Sequence, residues 1–179
     1  MNEIQVVNTT VERPSEVTYS NVQPIWHLIV LTIVTTGFYQ MVWFYKTWKQ
    51  LQKHNNWQVS YVYRTVFSFI PFIGFIIVVN LFKRINRLLK QHDIHVKMFP
   101  IIMMLGFYIL NALFKLPHLY WLIGFLSIAP LAYAQYALNL YWMKVQPEQR
   151  VEEKFTKRQW GLVVIGSLFW LLVLLGLFI

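Results

Sequence analysis

Ser68-Phe69-Ile70-Pro71-Phe72-Ile73-Gly74 interrupts an apolar run that extends from Tyr61 to Phe82. A helix needs about 20 apolar residues to cross a ~30 Å hydrocarbon core, and the run is long enough. Proline in a helix interior removes a hydrogen bond and collides with the preceding turn. Pro71 therefore divides the run into halves of roughly ten residues, each about 15 Å long as helix and able to reach only halfway across. The expectation is a re-entrant hairpin that enters and leaves on one side, with a kinked fifth span as the rival.

Four further apolar runs approach spanning length: Ile25 to Tyr45, Pro100 to Leu116, Leu119 to Met143, and Trp160 to Ile179. Trp26 and Trp43 would sit about 26 Å apart on a helix, and Trp121 and Trp142 about 31 Å, as aromatic belts at two water boundaries require. Thr156 with Gln159 forms a capping box and Phe155 with Trp160 a hydrophobic staple, which predicts a helix start near Lys157. Lys115-Leu116-Pro117-His118 leaves room only for a tight antiparallel turn between the third and fourth runs. The chain is 57% hydrophobic and 13% charged, whereas soluble domains are about a quarter charged. The expected fold class is an all-α membrane protein, a helical bundle of four spanning helices plus one Pro-broken re-entrant or fifth spanning segment. Residues 1–23 are polar and aperiodic and read as a mobile tail; residues 24–179 read as one multi-pass helical membrane domain. The tail lacks the basic start and small-residue cleavage site of a signal peptide, so the first run is expected to stay in the mature chain.

Charge separates the two topologies, because short loops rich in Lys and Arg stay on the cytoplasmic side. If Tyr61 to Phe82 does not cross, every lysine and arginine outside that run except Arg13 and Lys115 falls inside, thirteen against two. A crossing run gives eleven against four at best. The expected arrangement therefore has four spans, an external tail and an internal hairpin.

Little catalytic chemistry can be assembled. There are no cysteines, which removes disulfides, thiolate metal sites and thiol nucleophiles. The seven acidic residues lie in the tail or in basic loops, so no carboxylate pair, proton relay or triad forms within the apolar runs. His92 and His95 miss the i, i+4 spacing of a helical zinc motif. No metal and no cofactor is expected. The net charge of +9 sits beside apolar runs, so anionic lipid headgroups are the expected partner and nucleic acid is not.

The clearest functional signal is Leu81 to Val96. As a helix it puts Leu81, Phe82, Ile85, Leu88, Leu89 and His92 on one face, with Lys83, Arg84, Arg87 and Lys90 opposite, the pattern of a basic interfacial helix. Anchoring and topology explain these cations as well as specific lipid or partner contact does. Arg64 lies at the mouth of the expected hairpin, where it can snorkel to a headgroup phosphate. Thr35, Thr36, Asn80, Asn111, Gln135 and Asn139 are polar positions within apolar runs. They suit either a solute path or hydrogen bonds between packed helices, and packing is the simpler account.

Thr35-x-Gly37-x-Tyr39-x-x-x-Trp43-x-Tyr45, followed by Lys46 and Trp48-Lys49, resembles the end of the first span in small multi-pass prokaryotic membrane proteins of unknown function. Arg64 with Phe67, the Pro117 turn with Trp121 and Pro130, and the closing helix from Gly161 to Gly176 are similar too. The resemblance brings no activity. It implies an established helical architecture in a bacterial inner or plasma membrane, and directs attention to Gly37, Tyr39, Trp43, Tyr45 and Lys46. Physically, Gly37 would permit close helix contact, and Trp43, Tyr45 and Lys46 would form an interfacial anchor.

The expected function is a non-catalytic integral membrane module whose basic cytoplasmic face binds anionic lipid and a protein partner or a second copy. A small solute or ion transport component is the alternative. A lipid-modifying enzyme comes third, since only Arg64 and the basic helix offer charge toward headgroups.

Overall fold

The computed structural model describes residues 22–58, 60–147 and 154–178. The described residues hold seven α-helices and no strand: α1 (Ile25–Val34), α2 (Tyr39–His54), α3 (Tyr61–Phe67), α4 (Ile73–Gln91), α5 (Pro100–Ala112), α6 (Ile128–Val145) and α7 (Lys157–Phe178). Two 3-10 segments, Leu113–Lys115 and His118–Ser127, join α5 to α6. Two continuous helical stretches, His118–Val145 and Lys157–Gly176, are long and apolar enough to cross a membrane. The expected tail lies outside the described residues apart from Val22 and Gln23, and Gln23 is built into the core at 6% exposure.

Pro71 breaks its run as its chemistry requires. Helix α3 ends at Phe67, and α4 starts only after Phe72, whose φ is 65°. The Tyr108 hydroxyl donates to the Ser68 carbonyl and so pins the turn to α5.

A second break was not expected. Ile25 to Tyr45 is not one spanning helix, because α1 stops at Val34 in a Schellman motif. Gly37 N–H donates to Thr32 O at 2.8 Å and Thr36 N–H to Ile33 O at 3.0 Å, with φ at 51° for Thr36 and 93° for Gly37. The Thr35 hydroxyl closes the turn from both sides: it donates to Leu31 O at 2.7 Å and accepts Tyr39 N–H at 2.9 Å. A β-carbon on Gly37 would meet nothing within 4 Å. This glycine supplies a left-handed backbone rather than close helix contact.

Side-chain contacts give the direction of each helix. Gln23 meets Asn139 late in α6, and the ring of His27 stacks on Phe155 just before α7. Farther on, the Trp170 indole of α7 donates to Ile33 O and stacks on Trp121. Helix α1 is thus parallel to α7 and antiparallel to α6. Helix α2 runs the other way, since Gln40 bonds Ser127, Trp43 bonds Gln135 and His54 packs on Trp142. The same reversal occurs about Pro71. Tyr61 lies against Tyr45 and Phe69 against Phe44, so α3 opposes α2. Phe75 then meets Tyr108, and His92 meets Tyr141, so α4 returns alongside α6. The chain is two successive reversals followed by α5, α6 and α7 in alternating senses.

One consequence is a charge gradient along the bundle. Of the sixteen lysines and arginines, Arg13 and Arg150 fall outside the described residues. The other cations, Lys115 excepted, lie toward the end that carries His54, His92 and Lys144. Lys115 stands alone at the opposite end, in the turn between α5 and α6.

The core gathers Trp43, Phe44, Trp48, Leu81, Phe82, Phe107, Leu131, Leu138, Tyr141 and Trp142. Helix α7 begins at Lys157 as the capping box dictates: Thr156 N–H donates to Gln159 Oε1 at 2.8 Å and Gln159 N–H to Thr156 Oγ1 at 3.4 Å, with the Phe155 and Trp160 rings 5.8 Å apart. It docks on α1 through Gly166, where any β-carbon would overlap the Val34 carbonyl. Trp170 and Val163 make further contacts, but most of the other described side chains of α7 are exposed.

Candidate functional site

The Thr-Gly-Tyr-Trp stretch lies inside the molecule. Trp43 is 0% exposed and Trp142 1%, so neither serves as an interfacial belt. The Trp43 indole donates to Gln135 Oε1 at 2.7 Å, and Gln135 Nε2 donates to Asn139 Oδ1 at 2.7 Å. Asn139 Nδ2 donates to Gln23 O at 2.8 Å, and the Tyr39 hydroxyl donates to Gln23 Oε1 at 3.3 Å. Gln40 Nε2 donates to Ser127 Oγ at 3.1 Å beside this chain of bonds. Primary amides suit such a chain because each offers both a donor and an acceptor. Tyr45 and Lys46 of α2 are half-buried, and the Tyr45 ring packs edge-on to Tyr61 with Lys49 Nζ 5.5 Å from its centre.

Among the six polar positions read as a solute path, only Gln135 and Asn139 come together. Thr35 and Thr36 form the turn after α1, Asn111 Nδ2 donates to Phe107 O of its own helix at 2.8 Å, and Asn80 sits half-exposed on α4. Sequence reasoning missed Gln23, which belongs to this network but lies where polarity reads as tail.

The basic end is organised around α4. Its Leu81, Phe82, Ile85, Leu88 and Leu89 are buried in the core, so the apolar face meets the rest of the chain rather than lipid. Lys83, Arg87 and Lys90 are exposed, and Arg84 is half-buried. The helix stops at Gln91, short of the expected Val96. His92 caps it, Asp93 takes φ 50°, and Ile94 N–H donates to Leu89 O at 2.9 Å. Lys144 donates to the His92 carbonyl and ties this corner to α6.

Two arginines are held face-on by indoles. Arg84 lies 4.4 Å from the Trp57 ring centre and Arg64 lies 4.5 Å from that of Trp48. Stacking of this kind attracts the cation to the ring and leaves the in-plane N–H donors free for an anion. Arg64 therefore has a protein partner at the basic end. Asp93 is the only carboxylate side chain among the described residues, so the described residues of this end carry an excess of positive charge. His54, which closes α2, titrates below the usual histidine range because burial disfavours its charged form and a charged His92 adds repulsion.

No curated protein and no solved structure matches the chain. The sequence profile of a domain of unknown function, DUF4234, matches residues 23–116. That span starts at Gln23, contains both chain reversals and the basic helix, and ends beside Lys115. On a match to more than half of its length, the chain belongs to the DUF4234 family.

Proposed function

We propose that the protein is a non-catalytic integral membrane module whose basic face binds anionic lipid and a protein partner on the cytoplasmic side of a bacterial inner or plasma membrane. The observation that carries the membrane part is α7, an apolar helix of spanning length most of whose described side chains are exposed. Such a surface needs hydrocarbon around it. The lipid part rests on the gathering of cations at one end of the bundle, where each contributes on the order of 1 kcal/mol near an anionic leaflet.

The contacts favour three crossing segments over four: His118–Val145 and Lys157–Gly176, which have spanning length, and the shorter apolar stretch Pro100–Lys115. Gln23 and His54 both meet the last turns of α6, so α1 with α2, like α3 with α4, would dip in and return on the basic side. The tail then lies inside with the basic loops. Single cysteines at Asn8, Asn55, Gln91 and Gln146 of this cysteine-free chain test the arrangement. All four should resist an impermeant thiol reagent in intact cells and react after lysis. Labelling of Asn8→Cys from outside would restore four spans, and labelling of Asn55→Cys from outside would reject every arrangement with one basic side.

Charge reversal at Arg84 and Arg87 should abolish preference for anionic over zwitterionic lipid. The transport alternative predicts instead a flux in liposomes that Asn111→Leu removes. The hydrogen bonds of Gln135 to Trp43 and of Asn139 to Gln23 support helix packing as the role of these two amides, and Asn111 bonds within its own helix.

A further inference from the structure

We infer that a cavity of about 260 Å³ between the end of α2 and the last turns of α4, lined by Asn55, Trp57, Arg84, Arg87, Leu88 and Gln91, is a binding site for a phosphate-bearing group of net negative charge. The inference deepens the lipid-binding function proposed above and rests on it. Its volume is below the range typical of drug-sized ligand pockets and suits a small polar head. Two arginines one turn apart on α4 line the same space, and the amide group of Gln91 adds a neutral donor. Guanidinium groups match phosphate oxygens two at a time through parallel N–H bonds.

The cavity owes its shape to a helix ending. Helix α2 stops at His54, Asn56 adopts φ 49°, and Trp57 N–H donates back to Gln52 O at 3.1 Å. That turn sets the Trp57 indole under the Arg84 guanidinium. With its flat face occupied, Arg84 keeps its edge donors for the cavity. Asn55 Nδ2 donates to Leu51 O at 3.0 Å, beside the Asn55 backbone N–H that donates to the same carbonyl at 3.1 Å, and so holds the end of α2. Helix C-termini carry roughly half a negative charge and oppose an anion. Two full positive charges outweigh that opposition, and no carboxylate lines the cavity among the described residues.

The test uses the purified full-length chain in a nonionic detergent, with thermal unfolding followed as phosphatidylglycerol, phosphatidylcholine or inorganic phosphate is added at constant ionic strength. Phosphatidylglycerol should raise the midpoint and phosphatidylcholine should not. The double variant Arg84→Gln, Arg87→Gln should need roughly tenfold or more lipid for the same shift, whereas Lys83→Gln, Lys90→Gln, which removes equal charge from outside the cavity, should stay within about threefold. Arg84→Lys, Arg87→Lys keeps the charge and should still weaken the response, because lysine cannot bind two oxygens in parallel. Response to inorganic phosphate, lost in the arginine variants, would identify a soluble phosphate compound as the ligand; response to the lipid alone identifies a headgroup. Equal loss in both glutamine variants would overturn the cavity while leaving the basic face as the lipid-binding surface. Absence of any response in the unaltered chain to either probe would overturn both.

Discussion

Trp43 and Gln135 are joined by a 2.7 Å hydrogen bond between two fully buried side chains that lie 92 positions apart. The bond ties a residue inside the matched domain span to one beyond it, so the first part of the chain is completed by α6. Trp43→Phe should lower stability by about 1–2 kcal/mol, the value of one buried hydrogen bond and its desolvated partner. Gln135→Leu should lose a similar amount and the double variant less than the sum, read by circular dichroism during unfolding in mixed micelles. Strict additivity would mean that the two side chains do not cooperate.

Gly37 is a test of backbone conformation rather than space. At φ 93°, Gly37→Val should cost about 1–3 kcal/mol although there is ample room for the side chain. Gly37→Asn should cost less, because asparagine visits the left-handed region more readily. Equal damage from both substitutions would point to crowding instead.

Gly166 presents the opposite case. Gly166→Leu should push α7 off Val34 and destabilise the bundle by about 1–3 kcal/mol. Gly176→Leu on the same helix should be nearly silent, since nothing lies within 4 Å of that position. Unfolding midpoints of the two variants decide between a docked and an independent α7.

Acid should weaken the basic end. His54 titrates below its unfolded value, so the unfolded chain binds more protons there than the folded one. Stability associated with this site is complete above the unfolded histidine pKa near 6.5 and falls as pH drops through and below it. His92, Tyr141 and Trp142 surround the ring. The melting midpoint should fall between about pH 7.5 and pH 5.5, and His54→Gln should reduce the fall. An unchanged fall would assign it elsewhere.

The Pro71 break, the start of α7 and the turn at Pro117 were legible in the sequence because each rests on a local rule: a missing N–H, a capping pair, a short polar interval. The turn at Thr36 was not, because a β-branched residue at positive φ contradicts local preference and is held by the Thr35 hydroxyl. Tryptophan placement misled for a related reason. Spacing alone suits Trp43 and Trp142 to two interfaces, but their burial depends on Gln135 and His54, which arrive from distant parts of the chain. The cations of α4 were found from periodicity, whereas the Trp57 ring beneath Arg84 leaves no periodic trace.

The isolation of Lys115 bears on how the molecule enters a bilayer. A membrane potential, negative inside, opposes the export of each positive charge by about 2.3 kcal/mol per 100 mV. In the proposed arrangement one ammonium group makes that journey, within the short turn joining two apolar helices. In that arrangement the same voltage that resists the passage of Lys115 would retain the other described lysines and arginines on the inner side, so that an energised cell would hold the protein the right way up and a depolarised one would loosen that hold.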